Sequence, residues 1–365
     1  MTENEIGRYA EKVLAGEDLN RREIKRLAGN DKPEGIMALI FWADRIRRHF
    51  KGDEVDLCAI VNAKSGRCSE DCRFCAQSSH HPTRIAKYPL LPDKELLAAA
   101  EKAGASGAGR FSLVTSGRSI LKADEMERIC RVITALRDRK ALSPCASLGL
   151  LDSDQARALK EAGLARYHHN LETGPEFYST ICSTHTFADR VRTLETAREQ
   201  GFSLCSGGIF GLGETLQDRI DLALVLRKLQ VDSVPLNFLN PIPKTPLEHQ
   251  PPLAPLEILK SIALFRFILP KADIRSCGGR EKALRTLQPL MYLAGCNGTM
   301  IGNYLTTAGR SPEEDVQEII DLGLKPKTED GRRRTEGGEQ RTEGGGRKKR
   351  EDKKQKWQWA GRTNE

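Results

Sequence analysis

Residues 110–172 read RFSLVTSGRSILKADEMERICRVITALRDRKALSPCASLGLLDSDQARALKEAGLARYHHNLE. Short apolar runs alternate here with longer amphipathic runs, whose apolar residues recur with the spacing of one helix face. This order predicts strands at 110–115, 144–149 and 166–172, with helices at 124–139 and 153–162. Alternation of strands with helices is typical of a parallel sheet that helices cover.

The same alternation extends through most of the chain on both sides of this stretch. Five more strands are predicted at 57–63, 202–208, 233–239, 272–277 and 299–303. Eight strands and their helices over about 250 residues are typical of an α/β fold of the (β/α)8 TIM-barrel type. A doubly wound open sheet has the same periodicity and remains the alternative. In either fold, the active site is expected at the carboxyl ends of the strands.

Three regions follow from composition. Residues 1–50 are charged and helical in pattern, which predicts an N-terminal helical extension, and 51–324 carry the predicted barrel. Residues 325–365 hold 14 Lys and Arg against 8 Asp and Glu and almost no apolar residues. We therefore expect a disordered basic C-terminal tail. The rest of the chain is nearly neutral, so a basic enzyme surface for nucleic acid is not indicated.

Cysteine usage indicates a reducing compartment. No apolar segment follows a charged N-terminus, and no apolar run is long enough to span a membrane. Ten cysteines in such a chain are more often metal ligands or catalytic groups than disulfides. We expect a cytoplasmic protein.

Three cysteines follow the first predicted strand in the segment CSEDCRFC. Cys68, Cys72 and Cys75, here called the cysteine loop, have the spacing C-x3-C-x2-C. Three thiolates can hold three irons of a [4Fe–4S] cluster and leave the fourth iron open to a substrate. The alternative is a zinc site, for which His80 or His81 could supply a fourth ligand.

This motif, with Phe74 before its last cysteine, resembles that of the radical S-adenosylmethionine superfamily. More specifically, four segments look like the biotin synthases, and the similarity spans residues 30–324. These segments are 58–79, YHHNLET at 167–173, CSGGIFGLGET at 205–215, and 305–307.

The resemblance implies a radical sulfurtransferase that inserts sulfur between C6 and C9 of dethiobiotin, the last step of biotin formation. It also implies consumption of two S-adenosylmethionines, a [4Fe–4S] cluster on the cysteine loop and a second, sulfur-donating cluster. A homodimer and a flavodoxin or ferredoxin reductant are further implications. Nucleic acid and membrane partners are not expected.

The resemblance also assigns residues to S-adenosylmethionine and to dethiobiotin. Glu172 stands where many members have Asp, and Arg190 is expected to meet the methionine carboxylate. His168 stands where the common pattern has Asn. The cofactor positions are Phe74, Arg110, Asn170, Glu172, Arg190, Gly207 and Gly208. The substrate positions are His168, Asn237, Thr306 and Thr307.

The second cluster departs from the pattern of the family. Most members hold a [2Fe–2S] cluster with three cysteines and an arginine. Cys145, Cys205 and Arg275 match three of these positions, but the fourth is Ser112. A neutral serine hydroxyl is a poor iron ligand, so the usual site is incomplete.

Two other cysteines could complete a different site. Cys58, Cys145, Cys205 and Cys277, here called the cysteine ring, lie on the first, third, fifth and seventh predicted strands. Because alternate strands of a barrel contribute the four side chains of one interior layer, these cysteines could form a four-thiolate cage. The alternative is that they are ordinary small core residues. We expect an auxiliary [4Fe–4S] cluster rather than [2Fe–2S]. No role was assigned to Cys130, Cys182 or Cys296.

Two rival functions remain open. One is another radical S-adenosylmethionine enzyme of similar fold, such as a hydrogenase maturation or methylornithine-forming protein. The other is a non-catalytic iron–sulfur or zinc protein that binds nucleic acid through its basic tail.

Overall fold

A computed structural model describes residues 1–140 and 142–327. Most of the predicted tail, from residue 328, lies outside the described residues. Twelve α-helices are present in this part of the chain. They are α1 Glu3–Leu14, α2 Arg21–Ala28, α3 Pro33–Lys51, α4 Asp93–Ala105, α5 Ala123–Arg139, α6 Ser153–Ala162, α7 Phe187–Glu199, α8 Leu216–Lys228, α9 Pro255–Ile268, α10 Arg280–Leu284, α11 Leu290–Leu293 and α12 Pro312–Asp321.

Ten strands occupy the same part of the chain. They are β1 Glu54–Lys64, β2 Arg110–Thr115, β3 Ser143–Ser147, β4 Arg166–His168, β5 Ser203–Cys205, β6 Gly208–Phe210, β7 Ser233–Phe238, β8 Asp273–Ser276, β9 Gly298–Met300 and β10 Lys325–Pro326. Each strand predicted from the sequence is represented, although several are shorter than expected.

The strands close into a parallel barrel. Eight strands pair in the order β1-β2-β3-β4-β5-β7-β8-β9, and β9 returns to β1, so the sheet has no open edge along this path. Every pairing in this order is parallel. The predicted (β/α)8 barrel is confirmed, and the doubly wound alternative is wrong because the last strand of this order, β9, pairs with the first, β1, whereas an open sheet ends in two edge strands.

Among the predicted strands that end early, the fourth and fifth have interrupted backbone at the carboxyl end of the barrel. The fourth stops at His168 rather than 172, since Glu172 has a left-handed φ of 68°. The fifth stops at Cys205 and resumes as β6, which pairs with β7. Between them the carbonyl oxygen of Gly207 accepts the backbone N–H groups of Leu171 and Glu172, at 3.0 and 3.1 Å. The interrupted backbone leaves polar side chains at the mouth of the barrel.

Helices α1–α3 precede the barrel and pack against it. Helix α3 buries an apolar face, including Leu39 and Ile46, and contacts α9. Lys51, the last residue of α3, forms an ion pair of 2.7 Å with Asp273 at the start of β8. The end of α3 therefore lies near the amino end of β8, and α2 and α3 pack on the barrel helix α9.

The tail was predicted to begin at 325, but its first residues belong to the sheet. Lys325 donates its backbone N–H to the Asp53 carbonyl at 2.9 Å, and Lys327 donates to the Val55 carbonyl at 2.9 Å. These bonds add β10 beside the beginning of β1. Across residues 1–140 and 142–327, no helix is both long enough and apolar enough to cross a bilayer.

Candidate active site

The cysteine loop leaves β1 and folds back on itself. The Cys68 backbone N–H donates to the Gln77 carbonyl at 3.1 Å, and the Ser79 N–H donates to the Cys68 carbonyl at 2.8 Å. A turn between Cys72 and Cys75, closed by a 3.0 Å backbone bond, brings the second and third cysteines together. The C-x3-C-x2-C spacing thus places all three cysteines on one loop that is closed by backbone hydrogen bonds.

The three thiols of this loop interact electrostatically. Burial raises the pKa of Cys75 to about 11 and also raises that of Cys68. The ionised forms of Cys68 and Cys75 repel each other, as do those of Cys72 and Cys75. Because ligating thiolates must lose their protons, a positively charged metal centre has to replace the missing solvation.

The barrel interior contains a cavity of about 410 Å³. Its wall combines the predicted cofactor, substrate and cysteine ring positions. Of the predicted residues, it is lined by Cys58, Phe74, Arg110, Ser112, Cys145, His168, Asn170, Glu172, Arg190, Cys205, Asn237, Arg275, Cys277, Thr306 and Thr307. Residues from β1 to beyond β9 therefore face one space.

The cysteine ring closes around this cavity. Burial raises the pKa of three of its thiols. The pKa of Cys58 is raised, that of Cys205 is raised to about 11, and that of Cys277 lies well above its ordinary value. Ionised Cys58 interacts with Cys145 and Cys277, and ionised Cys205 interacts with Cys145 and Cys277. All four thiols line the one cavity, as expected for an interior layer contributed by alternate strands. Cys277 lies one residue beyond β8, with its N–H bonded to the Leu236 carbonyl at 2.9 Å.

Arg275 and Ser112 differ in whether their polar atoms have hydrogen-bond partners. The Arg275 Nη2 donates to Asp56 Oδ2 at 2.5 Å, and its Nε donates to Ser233 Oγ at 2.8 Å. Although burial opposes the charge, the Asp56 carboxylate holds the pKa of Arg275 well above its usual range. The Ser112 hydroxyl is buried without a hydrogen-bond partner. Arg275 therefore lines the cavity as a charged residue with hydrogen-bond partners of its own, and Ser112 presents an unpaired oxygen to the cavity.

The cofactor positions form a chain of hydrogen bonds at the barrel mouth. His168 Nε2 lies 2.9 Å from Asn170 Oδ1, and Asn170 Nδ2 donates to Glu172 Oε2 at 3.3 Å. Arg190 donates from Nη1 to the Asn170 carbonyl at 2.7 Å and from Nε to the Tyr178 hydroxyl at 2.6 Å. Burial raises the pKa of Glu172, and Arg190 partly offsets this effect.

Gly207 and Gly208 do not line the cavity but allow this arrangement. A Cβ on Gly207 would lie 1.9 Å from the Pro235 carbonyl oxygen, and one on Gly208 would lie 2.4 Å from the Glu172 carbonyl oxygen. Both glycines are therefore required by the close approach of neighbouring backbone.

His168, a predicted substrate position, lies among the cofactor positions, and the other predicted substrate positions, Asn237, Thr306 and Thr307, line the same cavity. Asn237 Oδ1 accepts the Gly278 N–H at 3.0 Å, and its Nδ2 donates to the Gly208 carbonyl at 3.3 Å. Thr306 and Thr307 follow β9 in a turn where the Tyr304 N–H donates to the Thr307 carbonyl at 3.0 Å. These amide and hydroxyl groups thus line the same cavity as the thiols of the ring.

Comparisons with known proteins agree with this geometry. Residues 63–226 match the Radical SAM superfamily, and residues 235–325 match the Biotin and Thiamin Synthesis associated domain. The biotin synthase of Geobacter sulfurreducens is 49% identical over 318 residues, which cover 86% of this chain and 95% of the relative. That of Heliobacterium modesticaldum is 51% identical over 315 residues, with the same coverage. This chain belongs to the biotin synthase family.

Two solved structures of other enzymes share the fold. A methylornithine synthase superimposes with a TM-score of 0.77 at 22% identity, covering 88% of this chain and 98% of that one. A maturase of the [FeFe]-hydrogenase also has a TM-score of 0.77, at 15% identity, covering 89% of this chain and 76% of that one. At these identities the likeness concerns the barrel alone.

The donor sets of this biotin synthase family member fit polynuclear iron–sulfur clusters better than single ions. Two sulfurs on one zinc ion, each at about 2.3 Å, are less than about 4.6 Å apart. Among the described residues, neither the cysteine loop nor the cysteine ring brings three sulfurs within 4.8 Å of one another. Thiolates are also the ligands that iron–sulfur clusters take. The zinc alternative for the cysteine loop is further weakened because His80 and His81 bond backbone carbonyls through Nε2.

Cys182, which was assigned no role, lies beside the cysteine loop. Its sulfur is 3.7 Å from Cys72 Sγ and 3.2 Å from His185 Nδ1. Asp71, within the CSEDC segment, accepts N–H bonds from Ser183 and Thr184 at 2.9 and 3.2 Å. The short CSTH segment at 182–185 was the only sequence signal, because nothing in spacing connects it with residues 110 positions earlier.

Proposed function

We propose that this protein converts dethiobiotin to biotin by a radical insertion of sulfur. S-adenosylmethionine, bound to a reduced [4Fe–4S] cluster, supplies a 5′-deoxyadenosyl radical in this chemistry, and an auxiliary cluster supplies the sulfur. The observation that carries the proposal is one cavity in the barrel whose wall holds the substrate positions, the cysteine ring and all of the cofactor positions except Gly207 and Gly208. The protein's share is to bind, orient and exclude water from reactive carbon centres.

We assign two groups of residues around the cavity to different ligands. Asn170, Glu172 and Arg190 offer an amide, a carboxylate and a guanidinium suited to the ribose and amino-acid groups of S-adenosylmethionine. Phe74 and Arg110 line the same cavity. Asn237, Thr306 and Thr307, with His168, offer donors and acceptors for the ureido ring and carboxylate of dethiobiotin.

For metal binding, we assign Cys68, Cys72 and Cys75 to the [4Fe–4S] cluster that binds S-adenosylmethionine. For the auxiliary cluster we favour the cysteine ring and a [4Fe–4S] type. The lining of one cavity by all four thiols of the ring supports this, as do the hydrogen bonds of Arg275 to Asp56 and Ser233. The rival is the family's usual [2Fe–2S] cluster, held by Cys145, Cys205, Arg275 and the unpaired hydroxyl of Ser112.

The remaining assignments rest on the family alone. We propose a homodimer in the cytoplasm, reduced by a flavodoxin or ferredoxin.

The decisive experiment is anaerobic turnover with reconstituted protein, dethiobiotin, S-adenosylmethionine and a reductant. We expect biotin and two equivalents of 5′-deoxyadenosine. Deoxyadenosine without biotin would indicate a different radical enzyme, and absence of both would refute the proposal. Mössbauer spectra with iron and sulfide analysis distinguish the two auxiliary cluster types.

A further inference from the structure

We propose that Cys72, Cys182 and His185 form a site for a single zinc-class divalent cation when the iron–sulfur cluster is absent from the cysteine loop. Among the described residues, this is the group of His, Cys, Asp or Glu side chains whose three ligand atoms lie within 4.8 Å of one another. All three side chains are buried, at 7%, 5% and 7% exposure. Two thiols and one imidazole are a common donor set for zinc.

The distances between these atoms match one tetrahedral ion. Zinc binds sulfur at about 2.3 Å and nitrogen at about 2.0 Å, so two sulfurs lie about 3.8 Å apart and sulfur and nitrogen about 3.6 Å apart. The Cys72 and Cys182 sulfurs are 3.7 Å apart. The nitrogens of His185 lie 3.2 Å (Nδ1) and 4.0 Å (Nε2) from Cys182 Sγ. Because Glu70 lies at Nδ1, Nε2 is the nitrogen open to an ion, and its distance from Cys182 Sγ is slightly longer than the value of about 3.6 Å expected on zinc.

A second, independent feature points to the same ligand. Glu70 Oε2 lies 2.6 Å from His185 Nδ1, and Glu70 itself accepts a bond from Thr184 Oγ1 at 2.8 Å. A carboxylate on one ring nitrogen fixes the tautomer so that the other, Nε2, presents its lone pair to a metal. Packing of the Tyr178 ring edge against the imidazole, with centroids 6.0 Å apart, also restrains its orientation.

The fourth coordination position is left open. Asp71 Oδ1 lies 3.2 Å from Cys182 Sγ, but this oxygen already accepts the backbone N–H groups of Ser183 and Thr184. Three protein ligands and one exchangeable position are typical of zinc sites that bind water or a small ligand.

Sharing of Cys72 makes the two metal states exclusive. This step rests on the proposed role of Cys72 as an iron ligand. An ion held by Cys72, Cys182 and His185 removes one of the three thiolates that the cluster needs. Bound zinc therefore blocks cluster assembly. The zinc ion has to be released before the iron–sulfur cluster can form.

The test uses the full-length chain, stripped of iron by anaerobic chelation and titrated with Co²⁺ as a spectroscopic substitute for zinc. We expect one Co²⁺ per chain, with the intense visible bands of a tetrahedral thiolate site. The Cys68→Ser/Cys75→Ser double variant keeps this site, whereas Cys182→Ser and His185→Gln weaken binding at least about tenfold. Glu70→Gln weakens it to a smaller extent, and Cys130→Ser is the matched control.

The opposite pattern overturns the proposal: cobalt bound by Cys182→Ser but lost from the Cys68→Ser/Cys75→Ser variant. Thermal melting of Cys182→Ser and Cys182→Ala identifies a folding defect, and His185→Gln tests the same site without altering a cysteine. In a second arm, one equivalent of Zn²⁺ slows iron–sulfur reconstitution of the wild type but not of Cys182→Ser. Equal slowing of both would refute the exclusive site. Neither arm contains S-adenosylmethionine or dethiobiotin, so failure here is distinct from failure of the proposed function.

Discussion

The cysteine loop and the cysteine ring hold similar ligands but are built in different ways. The loop takes its three thiols from eight consecutive residues, and its own backbone bonds bring them together. The ring takes four thiols from four strands, and only closure of the barrel brings them to one cavity. The loop is therefore a local motif that a sequence can display directly. The ring is a product of topology, and each of its members alone is an ordinary buried cysteine.

The largest expected effect tests the loop. Cys68→Ala, Cys72→Ala or Cys75→Ala should each abolish 5′-deoxyadenosine formation, because two thiolates do not hold a cluster with a single open iron. Anaerobic turnover followed by chromatography measures the product. Cys130→Ala, outside both cysteine sets, is the control. Wild-type deoxyadenosine yield from any loop variant would contradict the assignment of the loop.

The next effect separates the ring from the loop. Cys58→Ser or Cys277→Ser should leave 5′-deoxyadenosine formation intact but reduce biotin by at least about tenfold, with less iron per chain. Ser112→Ala should change little, and Cys296→Ser, buried outside the cavity, is the control. If Ser112→Ala is inactive and both cysteine variants are fully active, the four-cysteine cluster is refuted. The auxiliary cluster is then the [2Fe–2S] type held by Cys145, Cys205, Arg275 and Ser112.

A third prediction concerns the support of the ring. Asp56→Asn removes the nearer carboxylate from the buried Arg275 and leaves Asp273 at 3.9 Å, which should lower the free energy of unfolding by about 3 kcal/mol, the lower end of the cost of a broken buried pair. Arg275 and Arg110 together outweigh burial and lower the pKa of Asp56 to about 2, below its ordinary value. The stabilisation is therefore present above the ordinary pKa and is lost as the pH falls through about 2.

Urea unfolding of wild type and Asp56→Asn at neutral and acid pH measures this prediction. The difference between the two proteins should shrink in acid. The exposed Asp154→Asn is the control. A constant difference across the pH range would show that the ion pair is not its source.

The smallest effect concerns the end of the chain. Truncation after Lys327 should leave the melting temperature unchanged, since the sequence beyond it has few apolar residues to bury. Truncation after Leu324 also removes the two backbone bonds that join β10 to β1, which should cost about 1–3 kcal/mol. Biotin formation should survive both truncations, because Lys325–Pro326 pairs with Glu54 and Val55, before Cys58. Equal melting temperatures for both truncated proteins would show that β10 adds no stability.

Much of the fold was predictable from periodicity, because alternate strands and helices leave different spacings of apolar residues. The position of each strand was close, but the ends of the fourth and fifth were not. Their ends depend on Glu172 in a left-handed conformation and on the carbonyl of Gly207, which accepts two backbone bonds. Such bonds join residues that are distant in sequence, and no local pattern encodes them.

The candidate site was predictable to the extent that its residues follow strands. Positions such as Asn170 and Asn237 were expected at the carboxyl ends, and the structure places both at one cavity. Cys182 and His185 were not found, because they lie on a loop that reaches the cysteine loop only in three dimensions. The engagement of Arg275 with Asp56 was equally hidden, since the two residues are 219 positions apart.

Closure of the barrel by β9 against β1 has a consequence for synthesis on the ribosome. The chain emerges from its N-terminus at about 5–20 residues per second. The cysteine loop is therefore complete about 10–40 s before the roughly two hundred residues that end at Cys277 have been made. A nascent chain held between these points possesses every ligand of the first site and lacks one wall of the second. Because translation runs from the N-terminus, the cysteine loop is able to receive iron before the cysteine ring is.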